Sequence, residues 1–185
     1  MGKIKTALEI AMEEMDNIEV DYVKINQDKM RREGKKLAGK YFQEDSDIEN
    51  LQKDLDFYKE KDRKLVVSSL KEMVLMNISL PVDGTFELRF SRCALILSLL
   101  SKNDSNVEKI MQQIMGLCKQ YSTSIDSLLE NLKQKYNEVA QSRGINLEED
   151  KDFLNLYQDN LKQLKSQYQE ALDKGKESLR KILFQ

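Results

Sequence analysis

The chain has 185 residues, 34% of them charged, with one proline, seven glycines, no tryptophan and no histidine. Its 30 basic groups against 32 acidic ones leave a net charge of −2, which is no global signal for nucleic acid or an anionic membrane. The missing histidine excludes Ser-His-Asp and Cys-His nucleophile systems, histidine proton shuttles and every His-containing metal site.

Abundant Leu, Lys, Glu and Gln with a single proline point to all-α structure, either one elongated domain or two small modules. The opening Met-Gly-Lys-Ile-Lys-Thr has no apolar core of a secretory signal. Gly2 with Thr6 formally fits a myristoylation pattern, and Gly2 reads equally well as an ordinary residue ahead of a helix.

Ile4, Leu8, Ala11, Met15, Ile18, Tyr22 and Ile25 follow at alternating steps of 4 and 3, a heptad seam that favours packing along a partner helix. The phase then slips to Met30, Leu37 and Tyr41, with Gly34 at a seam-like position, and predicts a bend or a close helix contact. This first helix is electrically lopsided. Glu9–Asp21 holds six acids and no base, while Lys24, Lys29, Arg31, Arg32, Lys35, Lys36 and Lys40 stand against only Asp28 and Glu33. The seven bases form a candidate patch for an acidic protein surface or nucleic acid. Helix-dipole complementarity explains the same polarity, and the final helix repeats it, net −4 over 148–159 and +3 over 162–181. No aromatic interleaves the basic run before Tyr41, so a base-stacking surface has no support. Two first helices laid antiparallel would set acidic halves against basic halves and specify a dimer.

Ser46-Asp47-Ile48-Glu49 reads as a capping box for a second helix seamed by Ile48, Leu51, Leu55 and Tyr58, which merges into a dense apolar stretch from Leu65 to Leu100. That stretch is apolar over more than one helical face, so it predicts helices buried on most sides, and charges at Lys71, Glu72, Arg89 and Arg92 argue against a membrane span. Leu80-Pro81-Val82-Asp83-Gly84 reads as the reversal between two core helices, with a short strand at Ile78–Leu80 or Phe86–Leu88 as the other reading. Cys93 and Cys118 lie on separate apolar segments and read as buried thiols in a reducing compartment.

Ser101–Asp104 is a break, and Ser105-Asn106-Val107-Glu108 reads as a second capping box. Val107, Ile110, Ile114, Leu117, Tyr121, Ser124 and Leu128 keep 3/4 spacing, as do Leu154, Tyr157, Leu161, Leu164, Tyr168, Ala171, Gly175, Ser178 and Ile182. Joined by 143–146, with Gly144 as a helix-ending residue, these two long helices predict an antiparallel hairpin. Tyr121, Tyr136, Tyr157 and Tyr168 are read as hairpin core, and the methionines as gap-fillers, with Met111 and Met115 leaving an adaptable groove open.

No cofactor or metal motif appears: two cysteines 25 residues apart match no zinc spacing, and no phosphate-binding glycine loop is present. Acidic clusters at Glu13-Glu14-Asp16 and Glu148-Glu149-Asp150 are read as solvated faces or caps, and Asp45-Ser46-Asp47 lacks the glycine and glutamate of a calcium loop. No catalytic residue is assigned.

Lys3-Ile4-Lys5-Thr6-Ala7-Leu8-Glu9-Ile10-Ala11-Met12-Glu13 and the Arg32–Leu37 run, with a fainter echo at Asn77–Pro81, resemble the start of small uncharacterised helical proteins of bacteria, spirochaetes among them. The resemblance covers the first quarter of the chain; it implies a bacterial cytoplasmic setting and carries over no functional residue.

The resulting expectation is an all-α, elongated bundle of about five helices. Residues 1–102 form an N-terminal bundle with the Pro81 turn, and 103–185 form a hairpin packed on it or projecting from it. The expected role is a non-catalytic cytoplasmic scaffold or adaptor that binds protein partners and self-associates as a homodimer, without a membrane. A nucleic-acid-associated protein using Lys24–Lys40 is the alternative. A bundle holding a small apolar ligand is a third class, and no convergent polar constellation marks its pocket.

Overall fold

Met30, Gly34, Leu37, Ala38 and Tyr41 recur at helical spacing and are all buried, which fixes the inner face of the first described helix, α1 (Tyr22–Tyr41). The computed structural model describes residues 22–43, 46–143, 146–147 and 150–185, and among them the chain is all-helical. After α1 come α2 (Glu49–Asp56), α3 (Glu60–Asn77), α4 (Phe86–Leu100), α5 (Ser105–Arg143) and α6 (Lys151–Leu183).

Helices α3 to α6 run up, down, up, down. Cys93 on α4 meets the Val74 carbonyl on α3. Between α4 and α5, Ser98 faces Glu108 at one end and Glu87 faces Lys119 at the other, so these two are also antiparallel. Arg180 on α6 grips Glu72 on α3 through two hydrogen bonds of 3.2 and 3.1 Å, closing the ring of four. One apolar core runs through it, with Val66, Leu70, Val74, Cys93, Ile96, Leu97, Cys118, Leu172 and Leu179 fully buried.

Helix α1 lies outside this ring and packs on α3 more extensively than any other pair of helices meets. The two run parallel, since Asn26 bonds Asp62 while Ser69 donates to the Arg31 carbonyl at 2.7 Å. Gly34 makes their closeness possible. A Cβ there would stand 2.4 Å from the Val66 carbonyl oxygen and 2.8 Å from Ser69 Cβ. Of the two readings of Gly34, a close contact is the one realised.

Parallel neighbours need a return segment, and α2 supplies it. The helix expected to merge with the central stretch is therefore broken at Phe57–Lys59, where Lys59 turns extended before α3 begins. Tyr41, fully buried, donates to Asp54 at 2.7 Å and ties α2 to the end of α1. The caps also differ from the expected boxes. Asp47, not Ser46, accepts from Glu49 N, and Asp104, not Ser105, accepts from Asn106 N. An aspartate one residue away offers a charged acceptor and wins.

Pro81 and Asp83 make the expected reversal, and no strand forms among the described residues. Asp83 accepts from Thr85 N, Thr85 Oγ1 and Arg89, and these bonds hold its carboxyl below the usual range. The central helices are less completely buried than expected, because Met76, Leu88 and Leu95 face solvent.

Helices α5 and α6, 39 and 33 residues long, outrun their partners and continue as a two-helix arm. Ile114 touches Gly175, the tilted rings of Tyr121 and Tyr168 meet at 5.2 Å, and Tyr136 meets Phe153 at 5.6 Å. Each step along α5 is matched by an equal step back along α6, so the register never slips. Asp150 caps α6 by accepting from Phe153 N at 2.8 Å. Gly144, the acidic cluster at Glu13–Asp16, Glu148, Glu149 and Asp45 lie outside the described residues.

Candidate functional site

The seven sequence-selected bases, Lys24, Lys29, Arg31, Arg32, Lys35, Lys36 and Lys40, all lie exposed on α1, and the structure divides them. Arg31 pairs with Asp28 at 3.6 Å and Lys36 with Glu33 at 2.7 Å, each one helical turn away. Lys40 reaches Asp54 at 2.5 Å and lies 5.0 Å from the Tyr41 ring centre. Its hydrogen bond to Asp54 raises the Lys40 pKa and lowers that of Asp54. Lys24 is also engaged. Lys29, Arg32 and Lys35 carry no hydrogen bond or ion pair among the described residues. The basic run is thus a partly neutralised face with three open cations, beside exposed Tyr22, Val23 and Ile25.

A second surface lies between α4 and α5. Phe90, Ala94, Val107 and Met111 floor a groove of about 340 Å3, with Leu95 and Met115 at its lips. Helix α4 spends Phe86, Phe90, Cys93, Ile96 and Leu97 on the core, which leaves Leu88 and Leu95, seven residues apart, on the outer face. Leu95 is 55% exposed. The sequence reading left Met111 and Met115 open as an adaptable groove and took Leu88 and Leu95 as core. The seven-residue spacing out of phase with the buried set was the signal that could have placed them outside.

A third concavity of about 660 Å3 follows the arm between α5 and α6, lined by amides and hydroxyls such as Gln120, Ser124, Ser127, Asn131, Asn160 and Gln163. The tyrosines sit along the α5–α6 seam as expected, Tyr168 sharing a 2.9 Å hydrogen bond with Ser124.

Cys93 and Cys118 are free and buried. Burial pushes the Cys93 thiol up to about 12 and Cys118 up to about 11, the opposite of a nucleophile's requirement. Among the described residues no group of three Cys, Asp or Glu could hold a metal ion, and no helix is long and apolar enough to cross a membrane.

Residues 52–181 match DUF6657, a family of unknown function. No curated protein and no solved structure matches the chain. The match takes in the end of α2, all of α3, α4 and α5 and most of α6, with the α4–α5 groove, and leaves α1 with its basic face outside.

Proposed function

This chain belongs to DUF6657, a family of unknown function, and we propose that it is a non-catalytic helical scaffold that binds a protein partner and self-associates. The observation that carries the reading is the α4–α5 groove. An apolar floor of Phe90, Ala94, Val107 and Met111 under solvent-facing Leu95 matches the apolar face of an amphipathic helix, and methionines let such a groove adapt to its guest. The arm supports the same reading: it stands clear of the core, so its sides are open to another chain.

The test is affinity capture from native extract with wild type and with the Leu95→Glu, Met115→Glu pair, with and without nuclease, after circular dichroism has verified that the pair is folded. The reading expects a nuclease-resistant partner that the pair no longer retains. Recovery that disappears with nuclease would move the assignment to nucleic acid.

That second reading has its own observation, the three open cations Lys29, Arg32 and Lys35. It expects binding of a duplex DNA or RNA probe that weakens steeply with salt and is lost when the three are replaced by glutamine. A bacterial cytoplasmic setting rests on the resemblance of the first quarter of the chain, and the two free thiols fit a reducing compartment.

A further inference from the structure

We infer that the α4–α5 groove is closed by a second copy of this chain, the two faces meeting antiparallel about a twofold axis beside Cys93. The inference rests on the self-associating part of the function proposed above and names the surface that carries it.

The outer face of α4 is a seam of alternating size. Leu88, Ser91, Leu95 and Ser98 follow one another at steps of 3, 4 and 3. Leu88 is 42% and Leu95 55% exposed, Ser91 is exposed and Ser98 half-buried. Turned on itself about Cys93, the seam sets Leu88 opposite Ser98 of the other copy and Leu95 opposite Ser91, so each leucine meets a small residue. Parallel pairing would lay leucine on leucine and leave a gap between facing serines.

Helix α5 carries a second seam beside the first. Glu108, Gln112 and Met115 line the groove, and Lys119 continues their stripe at steps of 4, 3 and 4. This seam has its own turning point, between Gln113 and Ile114. About it, Glu108 falls opposite Lys119 of the other copy and Gln112 opposite Met115. Charge thus selects both the occupant and its direction. An antiparallel second copy sets acid on base at each end of the seam, and a parallel one sets Glu108 on Glu108 and Lys119 on Lys119.

Two seams can close together only about a common axis, and the packing of α4 on α5 supplies one. Ser98 with Glu108 and Glu87 with Lys119 are contacts eleven residues apart on both helices. That register sets Cys93 level with Gln113, within one residue of the turning point on α5. One twofold therefore serves both seams and covers Leu95 and Met115 above the floor of Phe90, Ala94 and Met111. Nor does the face bring bare charge into the contact: Arg89 is paired with Asp83 at 3.0 Å and Glu87 with Lys119 at 3.6 Å.

The test is sedimentation velocity of the full chain across the micromolar range. Wild type should show a monomer–dimer equilibrium. Glu108→Lys alone and Lys119→Glu alone should each weaken it by about tenfold or more, because both ends of the seam then carry like charges. An equimolar mixture of the two variants should recover the dimer, since a mixed pair has an acid opposite a base at both ends. Both side chains are exposed, and circular dichroism checks that helicity is unchanged. Variants that weaken the dimer but do not recover on mixing overturn this register. A dimer indifferent to both variants overturns the surface and leaves self-association by another face standing. A chain monomeric at every concentration overturns self-association too, and leaves the groove as the site of a different protein.

Discussion

Lys71 and Lys176 each hold the end of the other's helix. Lys71, on α3, donates to the Leu183 carbonyl at the end of α6 at 2.6 Å; Lys176, on α6, donates to the Ile78 carbonyl just past the end of α3 at 2.9 Å. Helix ends leave carbonyls without intrahelical partners and carry partial negative charge. Two antiparallel helices of the core satisfy these ends reciprocally, each with a half-buried ammonium. Burial lowers the pKa of both lysines, so the arrangement holds its charges at some cost.

This reciprocity predicts coupling. Lys176→Met should destabilise the fold by about 1–2 kcal/mol, because the Ile78 carbonyl loses its donor in a partly buried setting. Lys71→Met should do likewise at Leu183. The double variant should lose less than the sum of the two, since the first replacement already loosens the contact that the second one serves. Urea unfolding of the four proteins measures it, and strict additivity would mean that the two caps act independently.

Gly34 and Gly39 share a helix and should respond with opposite signs. Gly34→Ala drives a methyl into the Val66 carbonyl and should cost about 2 kcal/mol or more, because the obstacle is backbone and α1 must move off α3. Gly39→Ala meets nothing within 4 Å and should gain up to about 1 kcal/mol from helix propensity. Melting temperatures of the two variants on either side of wild type are the expected result.

The α4–α5 connection holds two non-glycine residues in the left-handed region, Lys102 at φ 56° and Asn103 at φ 60°. Asparagine tolerates this conformation and lysine does so poorly. Lys102→Gly should therefore raise stability by about 0.5–1 kcal/mol, read as a shift of the denaturant midpoint at unchanged slope. A lower midpoint would show that the lysine side chain contributes more than its backbone costs.

The buried thiols set an alkaline limit. Their folded pKa values, about 12 for Cys93 and about 11 for Cys118, exceed the ordinary 9.0, so the unfolded chain releases these protons first as pH rises. The stability they contribute is complete below pH 9 and is lost as pH climbs through the folded values. Wild type should thus lose its advantage over Cys93→Ala progressively as pH rises from 9 toward the folded Cys93 value of about 12, in urea titrations under reducing conditions. A constant difference across that range would rule out the thiol as its source.

Much of this architecture could be read from periodicity. The 3/4 spacing of Val107–Leu128 and Leu154–Ile182 announces the hairpin, and the phase slip after Ile25 with Gly34 announces either a bend or a close helix contact, of which the contact forms. Contacts between distant parts of the chain left no such trace. Nothing local says that Lys71 and Lys176 will cap each other, that α1 and α3 run parallel, or that Lys40 will be neutralised by Asp54 on another helix. The pairing of Arg31 with Asp28 and Lys36 with Glu33 was present in the spacing, and would have reduced the basic run toward its three open members. The outer groove was missed where composition overruled phase: a stretch so rich in leucine reads as buried all round, although Leu88 and Leu95 lie off the buried set.

The unslipping register of α5 against α6 makes the arm a ruler. Because Tyr121 with Tyr168 and Tyr136 with Phe153 belong to one alignment, seven residues can leave each helix between those two rungs without changing which faces meet. Such a matched deletion shortens the reach of the arm by about 10 Å and leaves the four-helix base untouched, whereas deletion from one helix alone shears every rung beyond it. Reach beyond the base is thus a quantity that this protein can vary independently of its stability.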